Sequence, residues 1–420
     1  MIMETANVKR SENMKRLTSD DFISTEPMHD VVSFYAKFYE QQEPLYRLDN
    51  FFGMGEAWLA FRHDDVVAIL KDPRFIKDIR KLTPREQPIE ENASVNALME
   101  WVINMPNMLT VDPPDHTRLR RLVSRAFTPN MIEELHPRIQ QIADELLDAV
   151  QEQGKMDLVS DFAYPLPITV ISEMLGIPVA ERSQFREWTR TLGQASLDPK
   201  ESEAVVATLN EFIQYIQLLL VEKRKHPGND VISSLVQAYD EGDHLSENEL
   251  LSTIWLLISA GHETTFNLIA NGTLALLQHP DQMRLLQNDS SLVPSAVEEL
   301  LRFAGPVLLG SRIAGEDIVL HGQTIRKGEM IVITLNGANF DPHKFANPGT
   351  LNITREENEH LTFGKGIHHC LGAPLARLEG QVAFRTLLRR LPNLRLAIDP
   401  EHLTYNKDSM RSLASLPVLF

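Results

Sequence analysis

The only cysteine in 420 residues sits in Phe363-Gly364-Lys365-Gly366-Ile367-His368-His369-Cys370-Leu371-Gly372. Downstream, Leu371, Leu375, Leu378 and Val382 recur with the period of a buried helical face, which places Cys370 at the amino end of a helix. Pro374 is tolerated there, in the first turn. A helix amino terminus offers partial positive charge and unpaired N–H groups. It therefore lowers a cysteine's pKa and favours the thiolate, the form that ligates metal. Gly364 and Gly366 lack a Cβ, so the backbone can turn sharply and approach a flat ligand. A lone cysteine without such surroundings is usually an inert small hydrophobe.

A second stretch breaks the rules of the element that carries it. Ser246-Glu247-Asn248-Glu249 is a capping box, and the helix it opens is predicted to run to about His279, a length of roughly 50 Å. In its middle lie Ala260-Gly261-His262-Glu263-Thr264-Thr265. Glycine and paired β-branched threonines lower helix propensity and an acid inside an apolar helix is costly, so the violation marks a site. His262-Glu263 opens like a zinc-protease helix, but that motif needs histidine four residues on, where Phe266 stands.

A third block, from Asp112 to Phe127, opens a helix with two prolines and an acidic cap. At about 100° per residue, Arg120 falls within about 40° of His116, with Leu119, Val123 and Phe127 on the same side. One face thus offers a histidine and an arginine among apolar groups, as a buried dianion requires, while Arg118, Arg121 and Arg125 face outward.

These blocks resemble the cytochrome P450 family, whose haem-binding loop is similar to the Phe363–Gly372 pattern. The resemblance implies that Cys370 is the proximal thiolate on the iron of haem b, within a loop that includes Phe363 and Gly364. His368, His116, Arg120 and Arg312 would meet the haem propionates. Ala260 and Gly261 would border the haem, Gly261 leaving room for oxygen, and Glu263 and Thr264 would supply protons for oxygen activation. A thiolate ligand favours O–O cleavage over reversible oxygen carriage. Glu299-Leu300-Leu301-Arg302 stands where the family has its Glu-x-x-Arg pair, with Arg355 as third member. Two departures touch the packing there: Asn352 replaces an expected Asp, and Phe340 an expected Arg.

The remaining elements are those that position these groups. Ala57 to Phe61 reads as a strand, and Asp64 to Leu70 as a helix behind an Asp cap. Residues 81 to 110, with Met99, Trp101, Met105 and Met108, lack periodicity and form either a core-covering loop or a lid; the resemblance favours the lid. Residues 130 to 240 carry helical periods broken at Pro165, Pro167, Pro178 and Pro227, the roof helices of the resemblance. Pro306 to Arg312 reads as an apolar strand ending in the arginine. Val307, Leu308, Leu309 and the tail near Met410 are expected to wall an apolar substrate pocket.

Composition bounds the rest. With 43% apolar and 24% charged residues and a net charge of −17, the chain reads as globular, and the charge opposes binding to nucleic acid or an anionic membrane. No disulfide is possible within the chain, which fits a cytoplasmic protein, and no signal peptide or spanning run is expected. The expectation is one mainly α domain over residues 1–420 with a minor β portion, a triangular helical prism around a buried haem, its first 20 or so residues flexible. It would act as a monomeric monooxygenase on a lipophilic small molecule and O2. No flavin or iron–sulfur domain is read in the chain, so a separate ferredoxin or flavodoxin with its reductase would supply electrons. A peroxide-driven haem-thiolate enzyme and a haem-binding sensor are the alternatives.

Overall fold

The chain is mainly helical with a minor β portion. This computed structural model describes residues 17–420 except 42, 83–104, 126, 182–183, 186, 189–190, 192–198, 241–244 and 407–409. Residues 1–16 of the amino-terminal stretch expected to be flexible, and the Met99 and Trp101 part of the expected lid, lie outside the described residues. The longer helices are α1 (Val31–Gln41), α2 (His63–Lys71), α3 (Asp115–Ser124), α4 (His136–Asp148), α5 (Pro165–Leu175), α6 (Pro199–Lys225), α7 (Val231–Asp240), α8 (Glu247–Gln278), α9 (Pro280–Asn288), α10 (Val293–Ala304), α11 (Leu335–Asn339) and α12 (Ala373–Arg390). The strands are β1 (Leu17–Thr18), β2 (Tyr46–Asn50), β3 (Ala57–Ala60), β4 (Phe75–Ile76), β5 (Lys155–Asp157), β6 (Leu309–Ala314), β7 (Ile318–Leu320), β8 (Gln323–Ile325), β9 (Met330–Thr334), β10 (Arg395–Leu396) and β11 (Pro417–Leu419).

Helix α8 is the axis of the helical part. Its capping box is complete: Glu249 N–H donates to Ser246 Oγ (3.2 Å) and Ser246 N–H to Glu249 Oε2 (2.8 Å). From there it runs through the largest apolar core, packed on α5, α10 and α12, with α4 against α12 and α5. Pro165 begins α5, Pro167 sits in its first turn, and Gly176 in the left-handed region ends it, so those prolines delimit a helix rather than break one.

The largest sheet has the order β1-β2-β3-β9-β6-β4, with β3 parallel to β9 and β6 antiparallel to it. α1 covers one apolar cluster on it and α2 another. The strand expected over Pro306–Arg312 starts instead at Leu309 and continues through Arg312 to Ala314, paired with Met330–Thr334. α2 begins at His63 after Arg62, whose own side chain makes no capping bond; the His63 N–H donates to the distant Asp341 carboxylate (2.8 Å), and Asp64 and Asp65 lie inside the first turn, where they complement the helix dipole. α3 likewise lacks a side-chain cap at its amino end, because the Asp112 carboxylate is turned to the amides of Lys77 (3.0 and 3.2 Å) and Asp78 (3.0 Å).

One helix exceeds the sequence expectation. Val205–Lys225 has a mean hydropathy of 1.2 over its most apolar window, long and apolar enough by composition to cross a bilayer. Yet Val205, Leu209, Phe212, Ile216, Leu219 and Leu220 of that helix are buried against neighbouring protein, as in the core-facing side of an amphipathic helix.

Candidate active site

The Cys370 loop is built by hydrogen bonds that fold it back on itself. Cys370 N–H donates to Phe363 O (2.9 Å), Gly364 N–H to Leu361 O (2.7 Å) and His369 N–H to Gly366 O (3.1 Å). Gly366 has φ +74°, and a Cβ there would stand 2.4 Å from the Leu70 carbonyl oxygen, so its bareness serves contact with the end of α2, not with a flat ligand. Cys370 precedes α12 by three residues, with Gly372 as its capping residue and Pro374 in the first turn.

The sulfur faces a cavity of about 430 Å³. Around Cys370, protein burial pushes the thiol above its ordinary value, while the Gly372 and Ala373 N–H groups and Arg120 pull the other way. Burial therefore outweighs the helix-terminus effect expected from the sequence. Arg120 Nη2 donates to His369 O (2.7 Å), tying α3 to the loop. Arg377, from α12, donates to both oxygens of Glu298 (2.6 and 2.8 Å) and lies 4.6 Å from the Phe363 ring centre. His360 also contacts Glu298 (3.1 Å), and these partners hold that carboxyl down to about 2 despite its burial.

The same cavity is lined from α8 by Ala260, Gly261, Thr264 and Thr265, so the two sequence blocks face one another. Thr264 Oγ1 donates to Ala260 O (3.1 Å), four residues back. Glu263 is half-buried outside the cavity wall. A Cβ on Gly261 would stand 2.9 Å from Ile171 Cγ1, so the glycine also admits α5 against α8. His262 is buried, its Nδ1 bonded to Ile258 O (2.8 Å), and burial lowers it to about 4, which leaves it neutral.

Polar groups collect at one side of the cavity. The rings of His116 and His368 are 4.5 Å apart, and no ring nitrogen of either meets a partner at hydrogen-bonding geometry, although the backbone of Ile367 bears on His116 and that of Met108 on His368. Arg312 lines the cavity at 6% exposure, and burial lowers it to about 10. Val307 and Leu309 line the wall as expected of a substrate pocket, whereas Leu308 is buried (1%) and is not part of that wall, since successive extended residues point to opposite sides. Met410 forms a β-bridge with Val307 behind the wall and does not line it.

Two cavity residues escaped the sequence reading. Lys77 follows β4 in a loop without periodicity, and nothing in the sequence distinguishes it. Glu379 had a signal: it falls between Leu375 and Val382 on the buried face of α12, where a carboxyl is out of place. Both its oxygens lack a partner and burial raises it to about 8, a rise the nearby Thr265 hydroxyl opposes.

Below the loop, Glu299 and Arg302 are 0% exposed and joined by two hydrogen bonds of 2.8 Å. Arg355 Nε donates to Glu299 Oε2 (3.1 Å). Phe340 stacks on Tyr35 (6.2 Å) and lies 5.7 Å from the Arg302 guanidinium, filling with aromatic surface the place where an arginine was expected. Asn352 accepts from Thr354 N–H (3.1 Å) and Oγ1 (2.8 Å), a turn bond an aspartate would also make.

Haem fits this donor set. It is a flat apolar ring with two carboxylates, and the cavity offers an apolar slot, a thiol on one wall and buried, partnerless histidines beside an arginine at one side.

The comparisons agree. The cytochrome P450 family model matches residues 197–414. Cytochrome P450 CYP107DY1 of Priestia megaterium is 64% identical over 97% of this chain and 100% of its own. The polyketide biosynthesis cytochrome P450 PksS of Bacillus subtilis is 45% identical over 93% of this chain and 96% of its own. The crystal structure of myxobacterial cytochrome P450 CYP267B1 in complex with myristic acid superposes with a TM-score of 0.88 at 42% identity, covering 96% of this chain and 99% of that one. With a family match over half the chain, a near full-length relative and the same fold, this chain belongs to the cytochrome P450 family and is one of its haem-binding monooxygenases.

Proposed function

We propose that this monooxygenase inserts one oxygen atom of O2 into a C–H bond of a lipophilic small molecule of polyketide, macrolide, terpenoid, steroid or fatty-acid type. Thiolate-bound haem iron supplies the oxygen chemistry, one atom entering the substrate and the other leaving as water. In this reading Cys370 is the iron ligand, steadied by the Gly372 and Ala373 amides and by Arg120. His116, His368 and Arg312 hold the haem carboxylates. Thr264 presents a hydroxyl on the opposite wall, and Glu263 exchanges protons with solvent behind it. The apolar wall orients the substrate and excludes water.

The observation that carries this reading is the apolar cavity itself, with Cys370 on one wall and Ala260, Gly261 and Thr264 on the other. Met108, Leu109, Leu256, Leu257, Val307 and Leu309 line it, a surface that favours a large neutral molecule. A relative named for polyketide biosynthesis and a structural neighbour holding myristic acid support the same class. Electrons come from a separate ferredoxin or flavodoxin with its reductase, to a monomer in the cytoplasm.

The test is a screen of lipophilic compounds by their shift of the haem absorption band, followed by turnover of the best binders with reduced ferredoxin, flavodoxin or peroxide. Product from the ferredoxin or flavodoxin arm supports the proposal. Product from peroxide alone assigns a peroxygenase, and no product in any arm a sensor. The iron ligand is tested separately. Reduced protein under carbon monoxide is expected to show the red-shifted band of thiolate ligation, and Cys370→Ser to abolish it; a Cys370→Ser protein that keeps the band has another ligand.

A further inference from the structure

The side of the cavity that holds His116 and His368 carries more positive charge than the protein compensates. Arg312 there is 6% exposed, and the hydrogen bond described for its guanidinium runs to Ser311 O (2.8 Å), a neutral acceptor. Lys77 lines the same cavity and lies near enough to Arg312 and His368 for their charges to disfavour one another. Among the described residues, no acid forms an ion pair with its ammonium. The acid that bears on it and on Arg312, Asp112, has its oxygens on the Lys77 and Asp78 amides (3.0 to 3.2 Å) and a further cation, Lys81 Nζ, at 3.5 Å, so one carboxylate faces three cations.

A half-buried ammonium beside a buried guanidinium in one cavity is unfavourable unless an anion joins them. Two histidines without partners and two such cations match two carboxylates better than the histidines and the arginine alone. We propose that Lys77 is a further ligand of the haem carboxylates, sharing one with Arg312 while His116 and His368 take the other, and that Asp112 positions it. The inference rests on the haem reading and is independent of the substrate and of the electron donor. Asp112 fixes the backbone at both Lys77 and Asp78, so the long side chain starts from a fixed point, which limits the entropy lost when the ammonium is held.

The test uses holoenzyme. Lys77→Gln is expected to transfer haem to excess apomyoglobin about tenfold faster, the equivalent of one charge-assisted hydrogen bond. It is also expected to shift the propionate bending bands in resonance Raman spectra and to lower the reduction potential, since a cation near the haem favours the more negative reduced form. Lys77→Arg keeps the charge and should restore slow transfer, and Asp112→Asn should move haem transfer and the propionate bands the same way by less. Haem transfer within about twofold of wild type, with propionate bands and potential unmoved, overturns the proposal. So does faster transfer without a shift in the propionate bands, which marks general loosening, and so does loss of haem from both Lys77→Gln and Lys77→Arg.

Discussion

At the scale of the residue, two hydroxyl and carboxyl groups on facing walls of the cavity make separate predictions. Thr264 returns its hydroxyl to the Ala260 carbonyl, which keeps it on the cavity side of α8 at small cost to the helix. On the proton-delivery proposal, Thr264→Ala binds haem and substrate normally but diverts reducing equivalents to hydrogen peroxide. Measuring product and peroxide per electron pair checks this, and unchanged coupling removes Thr264 from the role. Glu379 is the second group. Its ordinary value of 4.5 is raised by burial to about 8, so the folded protein keeps a proton that the unfolded chain has released. Stability therefore falls as pH rises from 4.5 to 8, by up to about 1.4 kcal/mol per unit. Glu379→Gln, which cannot ionise, should gain melting temperature over wild type progressively across that window and by a constant amount above it. A pH-independent gap between the two melting curves would show that the carboxyl is not held protonated.

At the scale of the element, the loop and α8 show how far sequence reaches. The capping box at Ser246 and the length of α8 were legible, because each rests on local chemistry with a fixed spacing; the opposition of Ala260, Gly261 and Thr264 to Cys370 was legible only through the family resemblance. The glycines were legible as sites but not as reasons. Gly261 and Gly366 are bare because Ile171 and the Leu70 carbonyl approach them, and both neighbours lie far away in sequence. The same limit applies to Leu308, turned from the wall beside a strand that starts three residues later than expected, and to Lys77, placed by an aspartate 35 residues on. Helical angles alone put Arg118 in solvent, but it is tied to Glu249 and Asp115. One prediction belongs to this scale. Gly366→Ala must both adopt φ +74° and displace the α2 carboxyl end, so it should cost about 2 kcal/mol or more and loosen the Cys370 loop. Conversion of the carbon monoxide complex to its inactive, blue-shifted form, followed over time, should be faster than in wild type.

At the scale of the whole molecule, a chain of net charge −17 carries a local basic face. Arg121 and Arg125 of the α3 region are exposed, and Lys365 of the Cys370 loop is half-exposed. Arg118, expected to face outward with them, is drawn in by Glu249, and Arg377 is paired with Glu298. On the ferredoxin proposal, an acidic donor is steered to the remaining cations against overall repulsion. Exposed charges are screened over about 8 Å at physiological ionic strength, so electron transfer should slow as salt rises. Arg121→Glu with Arg125→Glu should slow ferredoxin-driven turnover while sparing substrate binding and peroxide-driven turnover. Equal ferredoxin-driven rates in both proteins at low and high salt would place docking elsewhere.

The Glu249 carboxylate belongs to both halves of this molecule. One oxygen receives the Ser246 amide that starts α8 and also an Arg118 nitrogen of α3 (3.2 Å). α8 walls the cavity, and the side of α3 that carries Arg118 also carries Arg121. The bond is thus a strut between the surface a substrate would press on and the surface a donor would touch. Strain applied at either end is shared through one side chain, and neither helix can shift along its axis without loading the other.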